Sequence, residues 1–336
     1  MSEFRVPVVK IGKVGKHPNA DSLSITQIDG CPVIFRTEDF REGDLAIYIP
    51  VEAVVPETVP GTEFLGKHRR IKAMKLRGVF SMGLLLPLVH DQLPIVSMVG
   101  NVGDNVAAEL GITKYEEPLP VAMRTDMAPP PKTAYPVPVY DIESHRKYRH
   151  VYLPGERVIV TEKLHGTNAR FVYIDGQLHC GSHNSWKKQD ERSAWWRVAK
   201  EYDLDRKLAN YPGEVFYGEI YGQVQDLKYG SKPGELKLAI FDIYNSNKGH
   251  WLDSDEFCLH LDWVVLPSVP VLYVGPYTDF LDAMCDGNSV ASTVPQIREG
   301  IVIKPVVERR DNEIGRVITK LVGEQYLTRK DGTEFH

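Results

Sequence analysis

The sequence predicts an antiparallel α+β fold in two parts, a small N-terminal β-barrel followed by a larger, mostly stranded half with few helices. Three observations lead there. Short β-type runs follow one another closely at the start, punctuated by Gly, Asp and Asn, which suits a small barrel better than a βαβ unit. A proline-rich break, Ala128-Pro129-Pro130-Pro131-Lys132-Thr133-Ala134-Tyr135-Pro136-Val137-Pro138, sustains neither a helix nor a central strand and favours an extended linker. Beyond it, strands alternate with only occasional helices, the pattern of an α+β domain and not of a doubly wound sheet. The expected organisation is residues 1–127, a linker at 128–138, and residues 139–336.

Element by element, strands are expected at Phe4–Ile11, Ser24–Ile28, Pro32–Phe35, Leu45–Ile49 and Gly78–Pro87. After the linker, residues 157–164 read as a strand, and Arg170–Tyr173 with Gln177–Cys180 as a hairpin around Asp175-Gly176, a dipeptide that supplies the positive φ angles of a tight turn. Asp190 is placed to cap a helix over Glu191–Tyr202, whose Ala194, Trp195, Val198, Ala199 and Tyr202 form an apolar stripe. A second helix is expected at Thr278–Cys285, ended by Gly287. Further strands are expected at Val215–Ile220, Leu236–Tyr244, Gly300–Val307 and Arg316–Leu321.

Composition bounds the function. The chain has 336 residues, 43% apolar and 25% charged, with no apolar run of membrane-spanning length. Met1–Val6 lacks a basic segment followed by an apolar one, so no secretion signal is read there. Four cysteines, Cys31, Cys180, Cys258 and Cys285, stand far apart without a Cys-x-x-Cys pair, so reduced thiols in a cytoplasmic compartment are expected, with neither a disulfide framework nor structural zinc. A net charge of −5 means that any nucleic-acid contact comes from local patches. One such patch is Lys67-His68-Arg69-Arg70-Ile71-Lys72-Ala73-Met74-Lys75-Leu76-Arg77, with six Lys or Arg and no acid. Its cations Lys67, Arg69, Arg70, Lys72, Lys75 and Arg77 suit a phosphate backbone or a polyphosphate.

The chemistry is concentrated in Thr161-Glu162-Lys163-Leu164-His165-Gly166-Thr167-Asn168, directly after the apolar run Val158-Ile159-Val160. A lysine at the mouth of a strand can attack a nucleotide phosphate if its neighbours favour the neutral amine and donors hold the phosphate. Lys-x-x-Gly alone carries little, since it occurs three times here, at Lys75, Lys163 and Lys320. The specific signal is Lys-x-His-Gly-Thr-Asn followed, in order, by four further segments: Phe216–Gly222 with Glu219, Leu238–Tyr244 with Phe241, Arg298–Pro305 with Glu299 and Lys304, and Arg316–Leu321 with Lys320.

On those motifs the second half resembles the covalent nucleotidyltransferase superfamily and, within it, the ATP-dependent RNA ligases. With a basic segment and a barrel placed N-terminally, it is most similar to a family that carries an N-terminal OB domain and no C-terminal domain and seals 3′-OH/5′-phosphate nicks. His17-Pro18-Asn19-Ala20-Asp21-Ser22-Leu23 resembles a turn of OB-fold RNA-binding modules related to tRNA-binding domains; read from its residues alone it is an Asx-type turn that organises a loop. The resemblance implies that Lys163 is the nucleophile that takes AMP from ATP. It further implies that Glu219 and Glu299 hold Mg²⁺ or Mn²⁺, and that Phe241 stacks on adenine. Glu162, His165, Gly166, Asn168, Glu219, Lys304 and Lys320 are then expected at the nucleotide, and the basic segment at RNA or pyrophosphate. The expected partner is RNA with 5′-phosphate and 3′-OH ends in a nicked duplex, bound by a monomer.

Three departures stand beside the resemblance. Gly181-Ser182-His183-Asn184-Ser185 lies where related ligases often have an arginine after the serine, so the group that would meet the terminal phosphate is not evident. The last motif usually holds Lys-x-Lys, but position 318 is Ile, leaving Arg316, Lys304 or a distant lysine to supply the charge. Thr161 removes the glutamate-type adenine contact of DNA ligases. The competing readings are a non-catalytic OB-fold RNA-binding protein and, among enzymes, a DNA ligase or a GTP-dependent capping guanylyltransferase.

Overall fold

The computed structural model describes residues 4–91, 93–96, 101–115, 127–132, 136–330 and 332. The chain divides into two compact units: Met1–Glu116 with Leu327–Arg329, and Glu117–Tyr326 with Lys330–His336.

In the first unit, Val8–Lys10, Leu45–Ile49 and Leu84–Pro87 form one three-stranded sheet, and Gly15–Lys16, Leu23–Ile28 and Cys31–Arg36 another. Both feed one core of Ile11, Ile28, Val33, Phe35, Phe40, Ala46, Tyr48 and Leu85. The run expected as a single strand at Gly78–Pro87 is two strands, Val79–Ser81 and Leu84–Pro87. Gly83 separates them with φ +85°, and a Cβ there would meet the carbonyl oxygen of Ile49 at 2.6 Å.

The second unit holds two antiparallel sheets face to face. The larger runs Met127–Ala128, Trp186–Lys187, Gln177–Gly181, Thr167–Ile174, Glu214–Gly222, Leu236–Asn245, His250–Trp251. The smaller runs Glu143–Ser144, Thr319–Val322, Gly300–Pro305, Arg157–Lys163, Val271–Pro276, with only its first pair parallel. Alternation assigns the faces. Ala169, Phe171, Phe216 and Ile220 of the larger sheet pack under the helices Ala194–Glu201 and Ser254–Val264. Val158, Val160, Ile301 and Ile303 of the smaller sheet face a separate outer core. Between the sheets lie Tyr140, Val172, Val215, Tyr217 and Ile318, with Phe241 and Val302 packed against them.

The prolines after Met127 run along the second unit: Ala128 pairs with Trp186, the Ser246 hydroxyl donates to the Pro136 carbonyl, and the Tyr217 hydroxyl to the Pro138 carbonyl. Residues 116–126 and 133–135, which the sequence reading assigned to the first domain and to the linker, lie outside the described residues.

Two helix expectations are corrected. The first helix begins at Ala194, with Ser193 as its cap residue, because Asp190 accepts the backbone N–H of Arg192 and forms its own turn. The segment expected as a helix at Thr278–Cys285 is a 3₁₀ turn over Asp279–Met284. Ser254–Val264, not anticipated, is a helix opened by an Asp253/Glu256 capping box, which satisfies backbone donors at both ends of the first turn.

Candidate active site

Lys163 is the last residue of its strand and stands opposite Gly300 in the neighbouring one. Its Nζ donates to Glu299 Oε1 at 2.6 Å, with the lysine side chain 26% exposed and the glutamate 8%. Two glycines make this approach possible. A Cβ on Gly166 would lie 2.1 Å from the Ile220 carbonyl oxygen, and one on Gly300 2.1 Å from that of Leu321. The short crossing from Lys163 to Thr167 therefore presses backbone to backbone against the Glu214–Gly222 strand. Asn168 then stands directly opposite Glu219.

Glu219 is half-buried, and burial raises its carboxyl to about 8; Lys163 draws it down and Glu299 pushes it up. Two oxygens here are buried without a hydrogen-bond partner, Glu299 Oε2 and Asn168 Oδ1. A hard divalent cation takes oxygen ligands and keeps several waters, and such a donor set fits it. Among the described residues no three His, Cys, Asp or Glu cluster as a full protein cage.

Several side chains expected at the nucleotide are placed otherwise. Glu162 lies on the outer face of its sheet, opposite Ile301 of the outer core, because side chains alternate and Lys163 takes the inner face. Its Oε2 accepts the Val290 N–H at 2.9 Å and sits 3.9 Å from Arg298. His165 is buried with both ring nitrogens engaged, Nε2 with Asp226 at 2.7 Å and Nδ1 with the Tyr326 hydroxyl at 2.8 Å. It pins the loop instead of offering a nitrogen to a ligand, and its backbone N–H donates to the Tyr229 hydroxyl at 2.6 Å.

Lys304 is corrected as well. It lies opposite Ile159, four residues and about 13 Å down the strand from Lys163. Its buried ammonium donates to Asp242 at 3.1 Å and to Glu308 at 3.4 Å. Arg316, the other substitute for the missing lysine, donates to Asp242 at 2.6 Å and to Glu308 at 2.8 Å. Tyr140 completes the cluster with a 2.8 Å bond to Asp242. Burial alone would raise the Asp242 carboxyl, but Arg316 and Lys304 hold it below the usual carboxylate range. A cavity of about 240 Å³ beside this cluster is lined by Tyr140, Trp251 and Arg316, and Lys163 is not among its walls.

Lys320 stands opposite Val302, on the face that carries Lys163, and Ile318 is buried in the apolar contact between the sheets. Phe241 is the extra residue of a bulge, since Tyr217 pairs with Asp242 and Gly218 with Ile240. Its ring centroid is 4.7 Å from that of Tyr140, between the two sheets.

In the first unit the basic segment divides. Arg69 is a structural clamp, donating to the carbonyls of Val55, Pro56 and Thr62 and to the Thr62 hydroxyl. Arg70 pairs with Glu52 at 2.5 Å and lies 3.8 Å over Tyr115. Lys67, Lys72, Lys75 and Arg77 are exposed. Arg77-Gly78 is a two-residue hairpin turn with both φ positive, and the His17–Leu23 turn holds it. His17 Nε2 bonds the Leu76 carbonyl at 3.1 Å, and Asn19 Nδ2 donates to that of Arg77 at 2.9 Å.

The sequence reading missed Asp226, Tyr229 and Tyr326, which only the folded chain brings to His165. It also passed over Asp242, and Arg170, a charge between the apolar Ala169 and Phe171.

Comparison with known proteins gives the family and the fold. Residues 156–322, about half of the chain, match the RNA ligase family, and residues 5–88 match an OB-fold domain. A point mutant of Naegleria gruberi RNA ligase with ATP and Mn superposes with a TM-score of 0.81 at 22% identity, covering 96% of this chain and 98% of that one. The same enzyme with pyrophosphate gives 0.81 at 22%, covering 97% and 98%. At that identity the likeness shows the fold, an OB domain with a nucleotidyltransferase-type ligase domain. A symmetrical bis(5′-nucleosyl)-tetraphosphatase of Staphylococcus aureus is 18% identical over 158 residues, 47% of this chain and 76% of that protein, too distant to assign kinship. With the matched segment running from one strand end of the Lys163 sheet through Lys320, the chain belongs to the RNA ligase family.

Proposed function

We propose that the protein seals RNA 3′-OH and 5′-phosphate ends, preferentially in a nicked duplex, using ATP and a divalent metal through a lysyl-AMP intermediate on Lys163. One observation carries this reading: an amine at a strand end, 2.6 Å from one carboxylate and beside a second, with glycine on both flanking approaches.

In the resting arrangement Glu299 holds the Lys163 ammonium. Release from that pair and loss of a proton give the nucleophile. Its nitrogen bonds to the α-phosphorus of ATP while the bond to pyrophosphate breaks. The RNA 5′-phosphate oxygen then takes the AMP from the lysine, and the 3′-OH attacks the activated phosphate and expels AMP. Lys320, on the same face, counters charge on the phosphate. When bound, Mg²⁺ or Mn²⁺ would be held by Glu219 and Glu299, with Asn168 beside them, and would supply further positive charge there. Phe241, between the sheets, is the aromatic surface available to adenine.

Incubation with α-labelled ATP and Mn²⁺ is expected to label the protein covalently, and Lys163→Ala to abolish the label. Wild type stripped of bound AMP that stays unlabelled would overturn the proposal.

A further inference from the structure

Lys163 ends its strand, and Leu164–Gly166 lie between its paired register and that of the next strand, which begins at Thr167. Main-chain groups in such a crossing have no ladder to satisfy them. Here side chains supply the partners. The His165 N–H donates to the Tyr229 hydroxyl at 2.6 Å, and the Gln225 side-chain amide donates to the Gly166 carbonyl. Both residues come from the segment that follows the strand carrying Glu219. Tyr229 is 1% exposed and stands in the left-handed region, φ +54°. Such strain persists only where the surroundings fix it, and it gathers at active sites. The Tyr229 N–H is in turn held by Gln296 Oε1 at 2.8 Å.

The His165 ring is clamped at both nitrogens. Asp226, from that same segment, takes Nε2 at 2.7 Å, and the Tyr326 hydroxyl meets Nδ1 at 2.8 Å. Tyr326 belongs to the short helix Glu324–Leu327. Gly323, just before it, donates its N–H to the Glu299 carbonyl at 2.9 Å, and a Cβ there would meet Asp286 Oδ1 at 2.6 Å. One stretch, Gly323–Tyr326, thus ties the main chain of Glu299 to the ring of His165, two residues past the nucleophile. The Lys163–Glu299 bond spans the same two elements. A reacting group has to be held within about 0.5 Å of its productive geometry, and an error of about 1 Å costs about a hundredfold. We infer that Asp226 and Tyr326 are positioning residues that, through the His165 ring, set Lys163 relative to Glu299 for attack on the α-phosphorus. This rests on the ligase reading. They act on the step in which the lysine bonds phosphorus and not on the last step, in which the 3′-OH attacks and the lysine forms no bond.

The test separates those steps on the full chain. Lysine labelling is timed in single turnover with α-labelled ATP and Mn²⁺ over a range of ATP concentrations. The same protein is then given a nicked RNA duplex whose 5′-phosphate already carries AMP, and sealing is timed. Tyr326→Phe and Asp226→Ala should each slow labelling at saturating ATP by about tenfold or more, through loss of one buried bond to the ring. The half-saturating ATP concentration and the sealing of the capped strand should stay within about twofold of wild type. Asp226→Asn, which keeps an oxygen for Nε2, should recover most of the labelling rate. If both variants label within about twofold of wild type, or if labelling and capped-strand sealing fall together, the residues are scaffold and the inference is overturned. A rise in half-saturating ATP at unchanged maximal rate would overturn it too, by assigning the ring to nucleotide binding. Wild type that neither labels nor seals would overturn the ligase reading itself, before any variant is compared, and this inference with it.

Discussion

Across one row of the larger sheet, from Trp186 through Gly181, Arg170 and Tyr217 to Asp242, the same physical problem is solved in two ways. At the Asp242 end, Lys304 and Arg316 are buried and matched by two carboxylates and a tyrosine hydroxyl. At the Trp186 end, Arg170 is equally buried and rests on a ring face, with no acid paired to it among the described residues. A charge matched within the protein has no call on a ligand. A charge left unmatched keeps its electrostatic demand for one. Sequence position misleads here, because Lys304 sits inside a ligase motif and is consumed by the fold, whereas Arg170 sits in what reads as core.

The comparison is sharpened most by the largest effect. Lys163→Ala should reduce lysine labelling by more than about a thousandfold and shift the melting temperature little, since the lysine is partly exposed. Lys304→Met should do the reverse. Removing one partner leaves Asp242 and Glu308 short of a cation, and a loss of about 3–5 kcal/mol in denaturant unfolding is expected. If Lys304→Met were as stable as wild type and failed to label, Lys304 would belong to the chemistry and not to the buried cluster.

A smaller effect concerns pH. The folded-state value of Glu219, about 8, lies above its unfolded value, so its contribution to stability is full below about pH 4.5 and is lost as pH rises through 8. Glu219→Gln, studied without divalent cation, should flatten that decline by about 1–2 kcal/mol. An unchanged slope between pH 5 and 8 would show that Glu219 is already ionised there.

The smallest effects lie in the first unit. Arg69→Ala should cost about 1–3 kcal/mol by leaving the Val55–Thr62 carbonyls short of donors. Lys75→Ala, at an exposed position, should leave stability alone and reduce the salt slope of RNA binding by about one.

Much of the fold was legible because alternation and turn residues announce it: Asp175-Gly176 forms its hairpin, with both φ positive, and Leu236–Asn245 spans the predicted strand. The motif order placed Lys163, Glu219 and Glu299 together. What escaped was set by facing and partnership. Glu162 is one residue from Lys163 and therefore points the other way, which strand periodicity alone implies. The capture of His165 by Asp226 and Tyr326 joins residues 61 and 161 positions away, and no local pattern signals it. The 3₁₀ turn at Asp279–Met284 is too short for its apolar spacing to tell it from an α-helix.

The contact of Gly166 and Gly300 with neighbouring carbonyls has a consequence for how this centre can evolve. Its reach is measured by main chain against main chain, so no exchange of side chains at these two points can widen or narrow the gap between nucleophile and acids. A descendant that needs a roomier pocket has to remodel a strand.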